Sequence, residues 1–160
     1  MEMNQTYVII LVDTLKRKLI LLNDVLDMTN FQNKLIAEDK VDTDEFEGTF
    51  ISKQEMIDTI NQVDDGFEQI YDRVKEELKE HAPLYREEIV VLKELISEIT
   101  KKSVAIQTAE HRNRDLMERY FSARKKAIKD YNVGNKTVRR YQDAMKNQYT
   151  EQSYFVDKKN

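Results

Sequence analysis

Apolar residues recur every three or four positions along most of the chain, the spacing that gathers them on one face of an α-helix. From Met3 to about Ile36, Val8, Leu11, Leu15, Leu19, Leu22 and Leu26 form such a face. Ile9, Ile10, Val12, Ile20, Leu21 and Val25 widen it beyond a coiled-coil seam, so this first helix expects two neighbours or a second chain. Residues 37–50 lose the period and gather six acidic residues with Gly48, which predicts a solvated loop holding no more than one helical turn. Ser52-Lys53-Gln54-Glu55 matches a capping box, in which the Ser hydroxyl and Glu carboxylate satisfy unpaired N–H groups, and predicts a helix start at 52. Met56, Ile60, Val63, Phe67, Ile70, Val74 and Leu78 then follow at spacings of four and three, a heptad seam.

His81-Ala82-Pro83 interrupts that seam, because proline lacks an N–H and clashes with the preceding turn yet suits the first turn of a new helix. A hairpin is expected there. The third helix carries Ile89, Leu92, Leu95, Ile96, Ile99, Ile106, Ala109, Asn113, Leu116, Tyr120, Ala123, Ala127 and Tyr131, and ends near Gly134. Beyond it Tyr141, Tyr149, Tyr154 and Phe155 follow with weak periodicity, as in a tail or short helix ordered by contact. The expected fold is all-α: a long antiparallel hairpin or bundle of three main helices (about 3–36, 52–80 and 83–133) with coiled-coil packing, making a bundle of residues 1–134 and a tail of residues 135–160. At 1.5 Å per residue these helices measure roughly 51, 43 and 76 Å, so the third should overhang beyond about Arg112.

Composition narrows the function. The chain has 160 residues, 35% of them charged, with three Gly, one Pro and no Cys. The lack of Cys removes disulfides, thiolate metal sites and thiol nucleophiles together. The apolar run Tyr7 to Val12 is far shorter than the roughly 20 residues a membrane span needs, and no basic segment precedes it, so a cytoplasmic protein without a membrane span is expected. The net charge of −4 is unevenly spread: residues 1–100 carry 11 basic and 23 acidic side chains, residues 101–160 carry 15 and 7. The two parts should attract.

Catalytic patterns are missing. Neither His81 nor His111 has a Glu three residues before it, as a helical di-iron site requires, and Glu77 with His81 reads as an exposed pair at a helix end. Gly48, Gly66 and Gly134 are too isolated to form a phosphate-cradling loop. Asp64-Asp65 and Glu87-Glu88 fall on what the periodicity reads as polar faces. No catalytic residue, metal site or cofactor is expected. The basic segment from Arg112 to Tyr149 has the tyrosines that base stacking would use, but acidic faces elsewhere would repel a phosphate backbone, so no nucleic acid is expected. Asn113, at an otherwise apolar position, reads as a residue that fixes helix register. Met, Tyr and Phe on the distal third helix read as a groove for an amphipathic helix, or equally as ordinary core covered by the returning tail.

An apolar first helix, an acidic connection, Lys53-Gln54-Glu55 opening a second helix, and a long third helix with Asn113 before a charged, tyrosine-bearing end resemble the FlgN-type flagellar export chaperones. The terminal Ser153-Tyr154-Phe155-Val156-Asp157-Lys158-Lys159 is similar to the closing segment of such proteins in Gram-positive bacteria. The resemblance implies a non-enzymatic cytoplasmic chaperone that holds flagellar hook-associated proteins unassembled before type III export by binding their amphipathic carboxy-terminal helix. Carried onto this chain, it implies a partner groove at Leu116, Met117, Tyr120, Phe121, Ala127, Ile128 and Tyr131, and contact with the export apparatus through Tyr154 and Phe155, although the tail here ends Asp-Lys-Lys-Asn. The competing readings are a structural coiled-coil homodimer using the wide face of the first helix and a helical nucleic-acid binder whose affinity would fall steeply with salt.

Overall fold

The computed structural model describes residues 2–38, 41–122 and 136–148. Helix α1 runs Glu2–Ile36, α2 Thr43–Glu80 and α3 Arg86–Ser122, with a 3-10 turn, Ala82–Tyr85, joining the last two. A further helix, α4, spans 136–148. Strands are absent among the described residues.

Helix α2 starts at Thr43, nine residues before Ser52 and inside the acid-rich stretch expected to be a loop. Asp42 sits in extended backbone (φ −74°, ψ 104°), and its carboxylate accepts the Glu45 N–H at 3.1 Å. Asp44 and Glu45 then lie where the positive end of the helix dipole favours acids. The acidic density of 37–50 is therefore largely a helix amino terminus, and Ser52 stands within the helix rather than capping it. Phe46, Phe50, Lys53, Ile57 and Ile60 are all buried at spacings of four and three, so the seam continues upstream with a lysine in one of its slots.

At the other end the His81 N–H closes onto the Glu77 carbonyl at 2.9 Å, and Pro83 occupies the first turn of the 3-10 segment. The hairpin expected at this proline is present. Tyr85 is buried beneath it and donates its hydroxyl hydrogen to Glu77.

Helix α1 is the axis of the bundle, packing along both α2 and α3. Its register with α2 is antiparallel, from Tyr7 beside Arg73 through Lys18 beside Asp64 to Gln32 beside Thr49. With α3 it is parallel, Thr29 and Asn33 meeting Glu110 and Asn113. The wide apolar face of α1 thus has two neighbours. Val8, Leu11, Leu22 and Val25 are fully covered, while Ile9, Ile10 and Ile20 remain exposed. Helix α4 returns along α2 in the same direction, Thr137 donating to Glu47 and Gln148 to Asn61. Three helices build the end of the molecule around the 3-10 turn, and four build the opposite end.

The earlier start of α2 also removes much of the expected overhang. Nine extra residues lengthen the α1–α2 pair by about 13 Å. The Val41 N–H donates to the Tyr120 hydroxyl at 3.3 Å, so α3 is packed beside its neighbours well past Arg112. The remainder of the expected third helix, to 133, lies outside the described residues.

Candidate functional site

The two ends differ most in how they hold charge. In the three-helix end, Lys18 and Asp64 pair at 2.7 Å with side chains 2% and 4% exposed. Leu15, Phe67, Ile96, Ile99 and Thr100 surround them and enclose a cavity of about 20 Å³. Asp64 is not on a polar face, as its acidic neighbourhood suggested; only Asp65 beside it is exposed. The seam of α2 rotates Val63, Asp64 and Phe67 together into the core.

In the four-helix end the charge belongs to a wider network. Lys53, fully buried, donates to Gln32 Oε1 at 2.7 Å and pairs with Glu110 from α3. Gln32 Nε2 donates to Thr49 Oγ1 at 2.7 Å, and Thr29 donates to Glu110 at 3.1 Å. Asn113 joins this group from α3, donating to the Thr29 carbonyl at 2.7 Å and accepting from Asn33 at 3.0 Å. These bonds lock α3 to α1 at one register, the role its position suggested. Because a buried polar group left unpaired costs more than a bond gains, such a network rejects neighbouring registers.

Helix α4 roofs the network. Its buried residues Val138, Tyr141, Met145 and Gln148 recur at three, four and three, one face of an amphipathic helix. The Tyr141 ring lies with its centroid 4.0 Å from the Lys53 ammonium and packs edgewise on Phe50 at 6.2 Å, and Phe50 meets Phe46 edgewise at 5.3 Å. Burial pushes the Lys53 ammonium down to about 8, against the upward pull of Glu110. Burial, and then Glu110, push the Tyr141 phenol well above its usual value. The floor is therefore a groove between α2 and α3, aromatic on the α2 side and charged at its centre. Beside α4 a cleft of about 480 Å³ stays open, with His111 and Arg114 on α3 facing Arg139, Asp143 and Lys146 on α4.

The expected groove residues lie farther along α3. Met117 is buried, and Leu116, Tyr120 and Phe121 are half-buried against the core, with the Tyr120 and Phe121 rings edge to face at 5.1 Å. Ala127, Ile128 and Tyr131, and the tail residues Tyr154 and Phe155, lie outside the described residues. His81 is exposed and 4.0 Å from Glu77, the helix-end pair its spacing suggested. Among the described residues, no group of three His, Asp or Glu side chains is arranged to hold a metal ion, and no helix is long and apolar enough to cross a membrane.

Sequence reading missed Lys18, Lys53, Asp64 and Glu110. A signal existed for the lysines. Leu11, Leu15, Leu22 and Val25 leave a seam slot at 18, and Phe50 and Ile57 leave one at 53. A charge standing in an apolar slot is the mark of a buried pair, once both flanking turns are recognised as helix.

The family model described as FlgN protein matches residues 3–148, from the first turn of α1 to the last residue of α4. No curated protein and no solved structure matches the chain.

Proposed function

This chain belongs to the FlgN family of flagellar export chaperones, which is non-enzymatic, and from that premise we propose that it binds the amphipathic carboxy-terminal helix of flagellar hook-associated proteins in the cytoplasm before their type III export. The observation that carries the reading is the α2–α3 groove, which already accepts an amphipathic helix in the form of α4. Met117 and Phe121 on α3, with Leu116 and Tyr120 beside them, supply apolar and aromatic surface of the kind that helix-in-groove recognition uses. Ala127, Ile128 and Tyr131 extend that surface in the proposal, and Tyr154 and Phe155 contact the export apparatus. Covering the apolar face of a client helix lowers the concentration of the species able to polymerise, and release at the export machinery needs only modest affinity.

Titration of purified hook-associated proteins into the full chain, followed by calorimetry, tests this. Binding should change little with salt, and Phe121→Asp should weaken it at least tenfold while helicity is retained. Steep loss of affinity with salt would favour a surface-charge mechanism instead, and the absence of binding by the full chain would overturn the chaperone reading.

A further inference from the structure

Resting on the chaperone reading, we propose that α4 is a displaceable internal occupant of the α2–α3 groove, and that the partner helix which replaces it presents an aromatic ring to Lys53. The groove floor sets the chemistry of its occupant. Lys53 is fully buried with Gln32 and Glu110 as partners, and its remaining exposed direction is closed by the face of Tyr141 at 4.0 Å. An ammonium is held well by a π face, whereas an all-aliphatic helix laid over it would desolvate the charge without compensation. The occupant pattern is therefore that of α4: aliphatic, aromatic three residues on, aliphatic four further, amide three further, as in Val138, Tyr141, Met145 and Gln148.

Two observations make α4 a temporary tenant. First, it fits imperfectly. Gln148 Oε1, on this helix, is buried without a hydrogen-bond partner among the described residues. A buried polar atom left without a partner weakens the seat against a better-matched helix. Second, α4 leaves the open cleft of about 480 Å³ between itself and α3. Helices α1, α2 and α3 remain joined when it leaves through the extensive packing of α1 against both α2 and α3. Tethered to the same chain, α4 competes at an effective concentration on the order of millimolar, which lowers the apparent affinity of any partner by the fraction of grooves it fills.

Two probes decide the matter. A fluorescein-labelled peptide of residues 136–148 is titrated against the wild-type chain and against Tyr141→Ala and Met145→Asp, each checked for an unchanged helical spectrum. Both variants should bind the peptide at least tenfold more tightly than wild type, and a peptide with alanine at the Tyr141 position should bind poorly. Equal binding by all three chains, or by none, would overturn the proposal. In the second probe, hydrogen exchange is followed on the wild-type chain with a hook-associated protein added. Amides of 136–148 should lose protection while those of α1 remain protected; unchanged or increased protection of 136–148 with the hook-associated protein demonstrably bound would also overturn it. Failure of hook-associated proteins to bind any of the chains, with the peptide results intact, would count against the chaperone reading and leave the displaceable helix standing.

Discussion

Two lysines are buried in this bundle, and the helices around them solve the problem differently. Lys18 in the three-helix end has one carboxylate and an apolar shell. Lys53 in the four-helix end has a carboxylate, an amide and an aromatic face, contributed by three other helices. The first arrangement pairs α1 with α2 under a shell that α3 helps to build, and serves the fold. The second is completed by Tyr141 from α4, so the same cost of burying an ammonium becomes a preference for what lies over it.

The sharpest way to break the comparison is to remove each counter-charge. Asp64→Ala leaves Lys18 buried with no anion and should cost about 3–5 kcal/mol in urea unfolding, the range for breaking a buried pair. Glu110→Ala should cost clearly less, about 1–2 kcal/mol, because Lys53 retains Gln32 and Tyr141 and the Glu110 side chain is 12% exposed. Equal losses would mean that the wider network does not share the charge.

The pH dependence of stability sharpens it next. Lys53 falls to about 8 in the folded chain from an ordinary value of 10.5. Below pH 8 both states hold the proton and the cost of burying the charge is fully present. Between pH 8 and 10.5 the unfolded chain binds more protons than the folded one, so this group makes stability rise with pH, by on the order of 3 kcal/mol in all. Tyr141 acts in the opposite sense above pH 10, where its counterpart in the unfolded chain ionises and the buried phenol does not. Wild type minus Lys53→Met should therefore gain stability from pH 8 to about 10; a flat difference would contradict the burial of Lys53.

The smallest expected effects test whether the ends differ in backbone terms. Gly48 in the four-helix end and Gly66 in the three-helix end both lie within α2, and a Cβ at either would meet nothing within 4 Å. Gly48→Ala and Gly66→Ala should each stabilise the chain by about 0.5–1 kcal/mol in thermal unfolding. A gain at Gly66 alone would show that the first turns of α2 are not held as helix in solution.

Much of this architecture was legible in the pattern of residues. The seam of α1, the hairpin at Pro83, the long third helix and the all-α class follow from spacing, and Asn113 was readable as a register residue because it interrupts an apolar row. The start of α2 was not legible, because six acids in fourteen residues look like a solvated loop unless Phe46 and Phe50 are joined to Ile57 across Lys53. The candidate site was legible only from one side. Distal α3 was readable as apolar and aromatic through Met117, Tyr120 and Phe121, but the charged floor on α2 and the roof on α4 were not.

The sequence alone determined which segments are helical and which face of each is apolar, since both depend on residues within one or two turns of each other. The tertiary structure decided what the polar exceptions are for. Whether Lys53 is a solvated side chain or the charged floor of a groove depends on Gln32, Glu110 and Tyr141, residues 21, 57 and 88 positions away, and no local pattern records the arrival of three other helices at one ammonium.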